Sequence, residues 1–577
     1  WLVYAVQGYD AIRDTLSAAD RRSIDERLFR PMAKFLVGTP ANFDLIHNHA
    51  TWAAAGVGMT GYVLRDRGFV DQALLGSQRD GKSGFLRQID QLFSPDGYYT
   101  EGPYYQRYAL GPFELFARVI ERNEPRRHIF DHHGGALLKA VDAIIQQSYA
   151  GLLLPLNDAI KDKGLDSEEI VAAVAIAYAR THDPGLLDIA RRQNRTVLTI
   201  DGLAVAEGLQ ARLDQPFDFR PLLLRDGPQG ERGGLALLRT GGEDGTLAAL
   251  KATAQGMGHG HFDRLNWLFY DNGNEIVRDY GSARFLNINA KHGGIYLEEN
   301  TTWAKQTIAH NTLTVDSRSQ FAGKLADAEQ WHPDVLLFDV AAGGQIAMAR
   351  MAHAWEGVVA TRTLALLEHA DLAGPVVVDL LRVDAARAAQ FDLPLHFNGQ
   401  IIDTGFAATH YQAQRPVLGD AAGYQHLWVD AVAPASLEAR SLTWLTAGRF
   451  YTYRFAASEP SQALLVESGA HDPEFNLRRE QALIRRVSGA HGVSFAAVLE
   501  PHGRYDGTAE TVTGDVGRIQ SLTIDRGDDG DVVTLTLASG KVIALAIARE
   551  PAANATHDLE AHGRHLEWTG PYLRKDY

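Results

Sequence analysis

The sequence predicts an α+β multidomain protein, in which an N-terminal helical half is followed by antiparallel β-sheets. Up to about residue 200, apolar residues recur at helical spacing in segments of roughly 12 to 22 residues. Beyond Arg220 the pattern changes to short β-rich runs separated by Gly, Asp and Asn turns. A run of helices followed by a run of strands indicates separate layers or domains, and it argues against a wound α/β sheet.

The helical half, expected over residues 1–215, contains about eight predicted helices joined by short connections. Short connections favour antiparallel hairpins, which stack into a bundle or into an (α/α) toroid. The predicted helices lie near 2–17, 22–37, 43–65, 69–79, 84–93, 102–122, 135–149 and 167–196.

The β-rich half divides into two predicted domains. We expect a central antiparallel β-sheet domain over 216–390 and a C-terminal β-sheet domain over 391–577, separated by a weak change of pattern. The runs that predict strands are 235–240, 247–252, 267–270, 335–340, 374–381, 426–432 and 532–537.

Composition limits the classes of function. The 577 residues are 45% hydrophobic and contain no cysteine, which excludes disulfides, thiolate metal sites, iron–sulfur clusters and cysteine nucleophiles. No uninterrupted run of about 18 apolar residues occurs, so we expect no membrane span. The net charge of -15 offers no long-range attraction for nucleic acid or anionic lipid. A polyanionic substrate would therefore need a local basic pocket.

Residues 76–83 (GSQRDGKS) fit the phosphate-loop pattern G-x-x-x-x-G-K-[ST], but their context argues against nucleotide binding. That mechanism needs a buried strand before the loop, so that amides converge on phosphates at the next helix N-terminus. The preceding residues 69–75 have a helical pattern. We therefore interpret 76–83 as a connection between two helices.

Two segments of the helical half concentrate polar and aromatic groups. The first is IHNHATW (46–52), in which Asn48 could cap a helix and the flanking histidines could be structural. The second, SPDGYYTEGPYYQRY (94–108), is rich in tyrosines, most of which we expect to pack between helices. A nearby arginine favours a phenolate and so lowers a tyrosine pKa, which singles out Tyr105 with Arg107.

Two segments of the β-rich half carry histidines and acids. They are GMGHGHFDR (256–264), which leads into DYGSARF (279–285), and YLEENTTWAKQTIAHN (296–311). The glycines make a loop as reasonable as a strand for the first of them. His261, Asp279 and His310 could form a His₂Asp zinc site with one position left for water, although their intervals match no compact zinc motif.

These residue types suit β-elimination on a uronic acid polymer. Removal of the C5 proton requires donors that neutralise the carboxylate, for which Asn48, His49 and Arg284 are suitable. It also requires a base at C5 and an acid at the leaving oxygen, for which tyrosine or histidine serves. A hydrolase would instead need paired carboxylic acids. Asp96 and Glu101 lie in turn contexts, where we expect them to cap.

At these residues the sequence resembles the alginate lyases of polysaccharide lyase family 17, the oligoalginate lyases, within the heparinase II/III-like group. The resemblance covers roughly residues 45–320. Its carriers are His47-Asn48-His49 through Tyr62, SPDGYYTEGPYYQRY at 94–108, GHGHFDRL at 258–265, YDNGNEIVRDYGSARF at 270–285 and KHGGIYLEENTTWAKQTIAHNTLTVD at 291–316.

The resemblance implies an α/α toroid followed by antiparallel β-sheet domains with the active site in the cleft between them. It also implies exolytic β-elimination on alginate that releases unsaturated monouronate, without an organic cofactor. The general acid and base would be Tyr105 and Tyr296, with His49 as an alternative base. Residues that would neutralise or contact the substrate are Asn48, His49, Tyr104, Arg107, His259 and Arg284. The ligands of a structural zinc ion would be His261, Asp279 and His310.

The alternatives are a lyase acting on another uronate polymer, such as a heparan-type or glucuronan chain, and a non-catalytic uronate-binding protein. The expected partner is an acidic polysaccharide or oligosaccharide, with homodimerisation left open. We expect a periplasmic or secreted bacterial protein. About eight helices fall short of the ~12 that six helical hairpins would supply, so we expect either a fragment or an abridged toroid.

Overall fold

The structure is a computed structural model that describes residues 1–284, 297–561 and 563–577. It divides into a helical unit, Trp1–Asp218 with Leu224–Glu231, and a β unit, Phe219–Leu223 with Arg232–Tyr577. This division confirms the predicted order of helices followed by strands. Within the three described ranges, no helix has both the length and the apolar character needed to cross a membrane.

The helical unit contains helices α1 to α12, several of them joined by 3₁₀ or π turns, and a short β1–β2 hairpin. The elements are α1 Leu2–Ile12, α2 Ala18–Ile24, α3 Arg30–Val37, α4 Pro40–Phe43, α5 Asn48–Val63, α6 Arg67–Leu75, α7 Gly84–Leu92, α8 Pro103–Asn123, α9 Ala136–Gln146, β1 Ser148–Tyr149, β2 Leu152–Leu153, α10 Glu168–Thr181, α11 Pro184–Gln193 and α12 Ile200–Gln210.

Two differences from the predicted helices have clear local causes. The helix predicted over 167–196 is two helices, because His182 adopts a left-handed conformation (φ 53°) and Pro184 starts the next one. Helix α12 was not predicted, because it lacks an apolar stripe: Ile200 and Leu203 are exposed, while Asp201 and Gly202 are buried.

Small residues on α5 let neighbouring helices approach closely. A Cβ added to Gly58 would lie 2.0 Å from the ring of Phe116 on α8, and one added to Gly61 would lie 2.8 Å from Val70 on α6. Side chains at these positions would push the helices apart. The glycines therefore bring α5 next to α8, the two helices that carry the candidate catalytic residues.

The interpretation of residues 76–83 as a helix-to-helix connection is confirmed. Helix α6 ends at Leu75 and α7 begins at Gly84, so a helix and not a strand precedes the loop. The Asp44 carboxylate accepts hydrogen bonds from the Ser77 amide at 2.8 Å and from the Ser83 hydroxyl at 2.7 Å. An anionic group already satisfies the donors that a phosphate would need, which argues against a nucleotide site.

The β unit is antiparallel, and all seven predicted strand runs fall on or overlap observed strands. The strands that begin at or after β3 are β3 Leu222–Arg225, β4 Gly234–Thr240, β5 Thr246–Ala252, β6 Asn266–Asp271, β7 Asn274–Val277, β8 Thr314–Val315, β9 Asp334–Ala341, β10 Gly344–Trp355, β11 Val358–Leu367, β12 Val376–His396, β13 Gln400–Thr404, β14 Thr409–His410, β15 Leu427–Ser436, β16 Arg440–Thr446, β17 Arg449–Ala457, β18 Ser461–Ser468, β19 Gln481–His502, β20 Arg504–Asp506, β21 Thr511–Thr513, β22 Ile519–Arg526, β23 Gly530–Leu537, β24 Val542–Ala548, β25 Thr556–Ala561, β26 Arg564–Thr569 and β27 Tyr572–Asp576.

Two long strands join the two predicted β domains into one unit. The largest sheet has the order β13-β16-β17-β19-β12-β11-β10-β9, with β8, β14, β15 and β18 at its side. Strand β12 runs through residue 390, where a domain boundary was predicted, and pairs along its length with β19. A strand shared by both halves leaves no linker between them.

The main core of the β unit lies between this large sheet and the β4–β7 strands. Trp267 and Phe269 from β6 belong to the same buried cluster as Phe391 from β12 and Trp444 from β16. A second cluster joins the outer face of the large sheet to the β22-β23-β24-β27 sheet, with Val378 and Val533 among its members. The β unit is therefore a layered stack of sheets.

Candidate active site and metal site

The first candidate segment forms the start of α5. His47, not Asn48, is the N-cap: its backbone is extended (φ -162°, ψ 152°), and its Nδ1 accepts a hydrogen bond from the His49 amide at 3.3 Å. Asn48 is the first helical residue, so its side chain is not used for capping. The alternative in which Asn48 caps the helix is therefore wrong.

A buried amide–carboxylate pair lies at this helix start. Asn48 is 1% exposed and its Nδ2 donates to Glu101 Oε2 at 2.8 Å, while Glu101 itself is fully buried. The carboxylate also lies 3.7 Å from His47 Nε2, and the Asn157 amide donates to the Glu101 backbone carbonyl at 2.8 Å. A carboxylate in this position fixes the orientation of the Asn48 amide.

The expectation that Glu101 and Asp96 cap helices is wrong. Helix α8 starts at Pro103 after Gly102, without a side-chain hydrogen bond at its cap. Glu101 instead binds Asn48, and Asp96 forms a bidentate ion pair with Arg225 at 2.7 and 2.8 Å. Sequence reasoning missed the role of Glu101, because its partner lies 53 residues earlier on another helix.

Tyr104, Tyr105 and Arg107 lie in the first turns of α8, and all three are half-buried. Arg107 Nη1 donates to Glu169 Oε2 at 3.1 Å, and its guanidinium carbon lies 5.1 Å from the centre of the Tyr104 ring. The Tyr104 and Tyr105 rings meet edge to face, 5.1 Å apart. The structure therefore groups the tyrosines and the arginine as the sequence predicted, and adds Glu169 from α10.

His49 is exposed and belongs to an aromatic group on the same side of α5. Its ring lies 5.1 Å from that of His47 and 6.4 Å from that of Tyr108, and Trp52 lies 5.3 Å from Tyr108. Burial and then the Glu169 carboxylate raise the pKa of Tyr108, and together they outweigh the charge of Arg107, which lowers it. At Tyr108, the charge of a nearby arginine is therefore not enough to lower the pKa.

In the β unit, the GHGHFDR segment is a loop whose shape depends on glycine. A Cβ on Gly260 would lie 1.2 Å from the backbone oxygen of Gln255, so any other residue would force the chain apart. His259 before it is half-buried, whereas His261 after it is fully buried. The loop is tied to a later segment, because the Thr307 hydroxyl donates to the Phe262 backbone oxygen at 2.6 Å.

The three predicted zinc ligands lie close together and are fully buried. His310 Nδ1 is 3.1 Å from Asp279 Oδ2, and the His261 and His310 rings are 5.2 Å apart. The Asp279 carboxylate also accepts hydrogen bonds from Asn266 Nδ2 at 2.6 Å and from the Gly281 amide at 2.9 Å. Asp279 therefore contacts His310, and His261 lies beside His310, although the three residues are far apart in sequence.

The hydrogen bonds of His310 suit a metal ligand. Its Nε2 lies 2.9 Å from the Ala304 backbone oxygen, an acceptor, and so carries a proton. Nδ1, which faces Asp279, is the nitrogen that could bind a cation in place of its own proton. Burial lowers the pKa of His310, but the charge and the hydrogen bond of Asp279 raise it more, so the net shift is upward. Conversely, burial raises the pKa of Asp279, and His310 lowers it by more, so the carboxylate stays ionised.

A second carboxylate, Asp263, competes with Asp279 for the role of ligand. His261, Asp263 and His310 offer ligand atoms within 4.8 Å of one another. However, both Asp263 oxygens accept hydrogen bonds from the Lys251 ammonium, at 2.6 and 2.7 Å. A divalent cation on the same carboxylate would lie beside that ammonium, whereas the partners of Asp279 are neutral amides or imidazole. The charge of Lys251 therefore favours Asp279 as the zinc ligand, whereas the spacing of the ligand atoms favours Asp263.

Two further predicted site residues are Arg284 and Tyr296. Arg284 is 9% exposed and is the last residue of the first described range, 1–284. Tyr296, the predicted partner of Tyr105 in proton transfer, lies outside the described residues. The roles predicted for both side chains stay predictions.

Two family models match the chain. Residues 11–151 match "Alginate lyase", and residues 223–513 match "Heparinase II/III-like, C-terminal". The first match covers the Asn48 and Tyr105 segments of the helical unit. The second covers the buried His261 group of the β unit and about half of the whole chain.

Two curated relatives match over nearly the whole chain. An alginate lyase from Stenotrophomonas maltophilia is 60% identical over 576 residues, which is 100% of this chain and 78% of the relative. An exo-oligoalginate lyase from Saccharophagus degradans is 50% identical over 575 residues, 99% of this chain and 78% of the relative.

Solved structures confirm the fold class at much lower identity. A crystal structure of heparinase III has a TM-score of 0.62 at 12% identity, over 89% of this chain and 69% of that chain. A heparinase III gene product has a TM-score of 0.59 at 13% identity, over 93% of this chain and 68% of that chain. These likenesses confirm the predicted α/α toroid followed by antiparallel β-sheets, and the two relatives of high identity show that the chain belongs to the alginate lyases with a heparinase II/III-like C-terminal region.

Proposed function

We propose that this chain is an exolytic oligoalginate lyase, which cleaves 1,4-linked uronates by β-elimination and releases unsaturated monouronate. The observation that carries this proposal is that two carboxylates of the helical unit, Glu101 just before α8 and Glu169 on α10, are already engaged. Glu101 is buried against Asn48, and Glu169 pairs with Arg107. Hydrolysis would need two available carboxyl groups, whereas elimination needs the amide, imidazole and phenol groups that remain.

The relatives support the polymer and the mode of action. One is named alginate lyase and the other exo-oligoalginate lyase. The solved heparinase structures, at 12% and 13% identity, support the fold alone. We therefore prefer alginate over heparan-type chains as the substrate.

In the proposed reaction, the substrate carboxylate is neutralised first, because this makes the C5 proton acidic enough to remove. The Asn48 amide, oriented by Glu101, donates to that carboxylate, and we assign Arg284 and His259 to further substrate contacts. Tyr104 and Arg107 contact the sugar beside them. A donor held in place before the substrate arrives avoids the cost of reorganisation during the reaction.

Two proton transfers complete the elimination. A base removes the C5 proton, its electron pair forms the C4=C5 double bond, and the C4–O bond breaks. An acid then gives a proton to the leaving glycosidic oxygen. We assign these roles to Tyr105 and Tyr296, with exposed His49 as the base when the C5 proton lies on the opposite face of the sugar.

The buried cluster of the β unit has a structural role in this proposal. A zinc ion held by His261, Asp279 and His310 would crosslink the loops that carry them and add its binding energy to folding. Asp263, neutralised by Lys251, would support the site from outside the ligand set.

The test is the ultraviolet absorbance of the new C4=C5 double bond. The chain is incubated separately with polymannuronate, polyguluronate, heparan sulfate and glucuronan, and the early products are sized by mass. We expect absorbance on an alginate block with a monomer as the first product. Absorbance only on heparan sulfate or glucuronan would assign another polymer. Silence on all four substrates from folded protein would contradict a lyase activity.

A further inference from the structure

We propose that the β unit carries a second carbohydrate site, which binds a uronate unit of an oligosaccharide without cleaving it. The site is a groove of about 830 Å³, a size in the range of small-molecule sites. Its wall is formed by the segment after β8, by the β10–β11 turn and by the middle of β12. None of these elements carries a residue assigned to the reaction. The uronate class of the ligand rests on the proposed function.

An exposed pair of stacked rings forms one side of the groove. The Trp331 indole and the His353 imidazole stack with centroids 3.7 Å apart and planes at 24°. His353 covers one face of the indole, yet Trp331 remains 42% exposed. A broad aromatic face kept rigid and accessible to solvent is suited to stacking against the apolar face of a pyranose ring.

The groove also offers a guanidinium group that forms no hydrogen bond within the described residues. Arg318 is exposed, and no hydrogen bond or ion pair of its guanidinium occurs there, although its charge helps to lower the pKa of Asp316. Guanidinium binds carboxylate in a bidentate geometry, so Arg318 supplies the contact that selects a uronate over a neutral sugar.

The acids in the groove limit how long the ligand can be. Arg387 is already paired with Asp316, which leaves Asp327 and Glu356 on the wall against the single charge of Arg318. An extended polyanion would bring several carboxylates close to these acids and would be repelled. A ligand with a single carboxylate, placed on Arg318 and away from the two acids, meets less repulsion than an extended polyanion.

The backbone around the groove departs from regular geometry in three places. The register of β10 against β11 shifts between Met351 and Trp355, where His353 lies, and the register of β12 against β19 shifts between Asp384 and Ala389, where Arg387 lies. Bulges of this kind redirect side chains at binding sites.

The third departure is in the segment after β8. Four of its residues that are not glycine have a left-handed backbone, with φ values of 51 to 56°: Asp316, Ser317, Phe321 and Ala322. Such conformations persist where the surroundings impose them, and they are frequent at ligand sites. The backbone of this segment is therefore fixed beside the groove.

The test uses the whole chain with Tyr105→Phe, so that the tetrasaccharides are not cleaved during the titration. It is labelled with 5-fluorotryptophan and observed by ¹⁹F NMR, with the Trp331 signal assigned from Trp331→Phe. We expect saturated tetramannuronate or tetraguluronate to shift the Trp331 signal saturably, and neutral mannotetraose not to do so. Arg318→Ala should raise the half-saturating concentration at least about fivefold. Arg126→Ala, which removes an exposed arginine of the helical unit, should leave it unchanged.

Trp52 serves as an independent reporter, because its ring lies 5.3 Å from Tyr108 in the helical unit. A response of Trp52 without one of Trp331 would overturn the second site and leave the proposed function intact. A response of Trp331, together with no double-bond absorbance from the parent chain, would support the second site while the proposed function fails. An equal response to mannotetraose, or a shift that follows protein concentration instead of ligand, would overturn the assignment to a uronate.

Discussion

Apart from buried Asn48, the candidate active-site residues of the helical unit are more exposed than the histidine cluster of the β unit. In the helical unit, Tyr104, Tyr105 and Arg107 are half-buried and His49 is exposed. In the β unit, His261, Asp263, Asp279 and His310 are all fully buried. Groups that exchange protons with a substrate must be reachable, whereas groups that hold a cation or a loop are best enclosed.

The contacts that hold the two groups of residues also differ. Among the described contacts, the buried Asn48–Glu101 hydrogen bond and the Arg107–Glu169 pair support the reachable residues. The buried cluster is held by several contacts at once, including the Lys251–Asp263 pair and the Asn266 amide on Asp279. We therefore expect substitutions in the helical unit to affect turnover first, and substitutions in the β unit to affect stability first.

The largest effect is expected from Tyr105→Phe, which removes one hydroxyl from the reachable group. Loss of a general acid or base lowers kcat by about 10² or more, while the ring keeps its packing against Tyr104. Initial rates on the preferred alginate block measure this, with circular dichroism as a check of folding. Tyr9→Phe is the matched control, because its hydroxyl binds Asp25 elsewhere in the helical unit. Near-normal rates for Tyr105→Phe would contradict the assignment.

A smaller loss of turnover is expected from Glu101→Gln. The neutral amide keeps the shape but weakens the hydrogen bond that orients Asn48, so kcat should fall about tenfold, equivalent to ~1.4 kcal/mol, with little change in KM. A purely structural role would instead lower the melting temperature and leave kcat unchanged. Asp96→Asn, in the same segment, removes the carboxylate that binds Arg225 and should leave kcat unchanged.

The extent of sequence-based prediction also differs between the two regions. Asn48, Tyr105 and Arg107 lie in dense local motifs, so their grouping could be predicted from the sequence. The role of Glu169 could not be predicted, because acids are common in the first turn of a helix, where they interact favourably with the helix dipole. In the β unit, the sequence could not show whether Asp263 or Asp279 is the better zinc ligand. The contact of Asp263 with Lys251 depends on the register of β5 and β6.

The lack of information on strand pairing also explains why the domain boundary predicted at residue 390 falls inside a strand. Each of the seven predicted strand runs corresponds to a strand, because β-rich runs between turn residues carry a local signal. The signal does not report which strands pair. Strand β12 continues through residue 390 because its irregularity at Asp384–Ala389 bends it without ending it.

In the β unit, His310→Ala should lower the melting temperature and the zinc content together. The substitution removes one ligand and leaves the Asp279 carboxylate buried without its imidazole partner. Metal analysis of the purified protein and thermal melts with and without a chelator measure both effects. His396→Ala is the control, because His396 is also buried and binds the Ile308 backbone oxygen at 2.8 Å. It should lower the melting temperature and keep the zinc.

An unchanged zinc content in His310→Ala would show that the metal site lies elsewhere. The choice between the two carboxylates is tested by Asp279→Asn and Asp263→Asn. We expect the first to lose zinc and the second to keep most of it, because Lys251 already neutralises Asp263. The reverse result would make Asp263 the ligand and Asp279 its support.

The smallest effect on turnover is expected from a buried acid of the helical unit that neither site uses. Glu114 on α8 is fully buried, and neither carboxylate oxygen has a hydrogen-bond partner within the described residues. Burial raises the pKa of Glu114 to about 8, although the charge of Arg180 lowers it in part. The folded protein therefore keeps this proton over a pH range in which the unfolded chain, with a pKa near 4.5, has released it.

Because the folded state binds the extra proton, the free energy of unfolding falls as the pH rises from about 5 to about 8. Each pH unit in this range costs at most ~1.4 kcal/mol. Glu114→Gln has no proton to lose, so its melting temperature relative to the parent chain should increase by a few degrees between pH 5 and pH 8.5. A difference that stays constant with pH would show that Glu114 is ionised or hydrated in the fold. Since Glu114 contacts neither Tyr105 nor the histidine cluster, kcat at pH 6 should be unchanged, which separates stability from turnover within the helical unit itself.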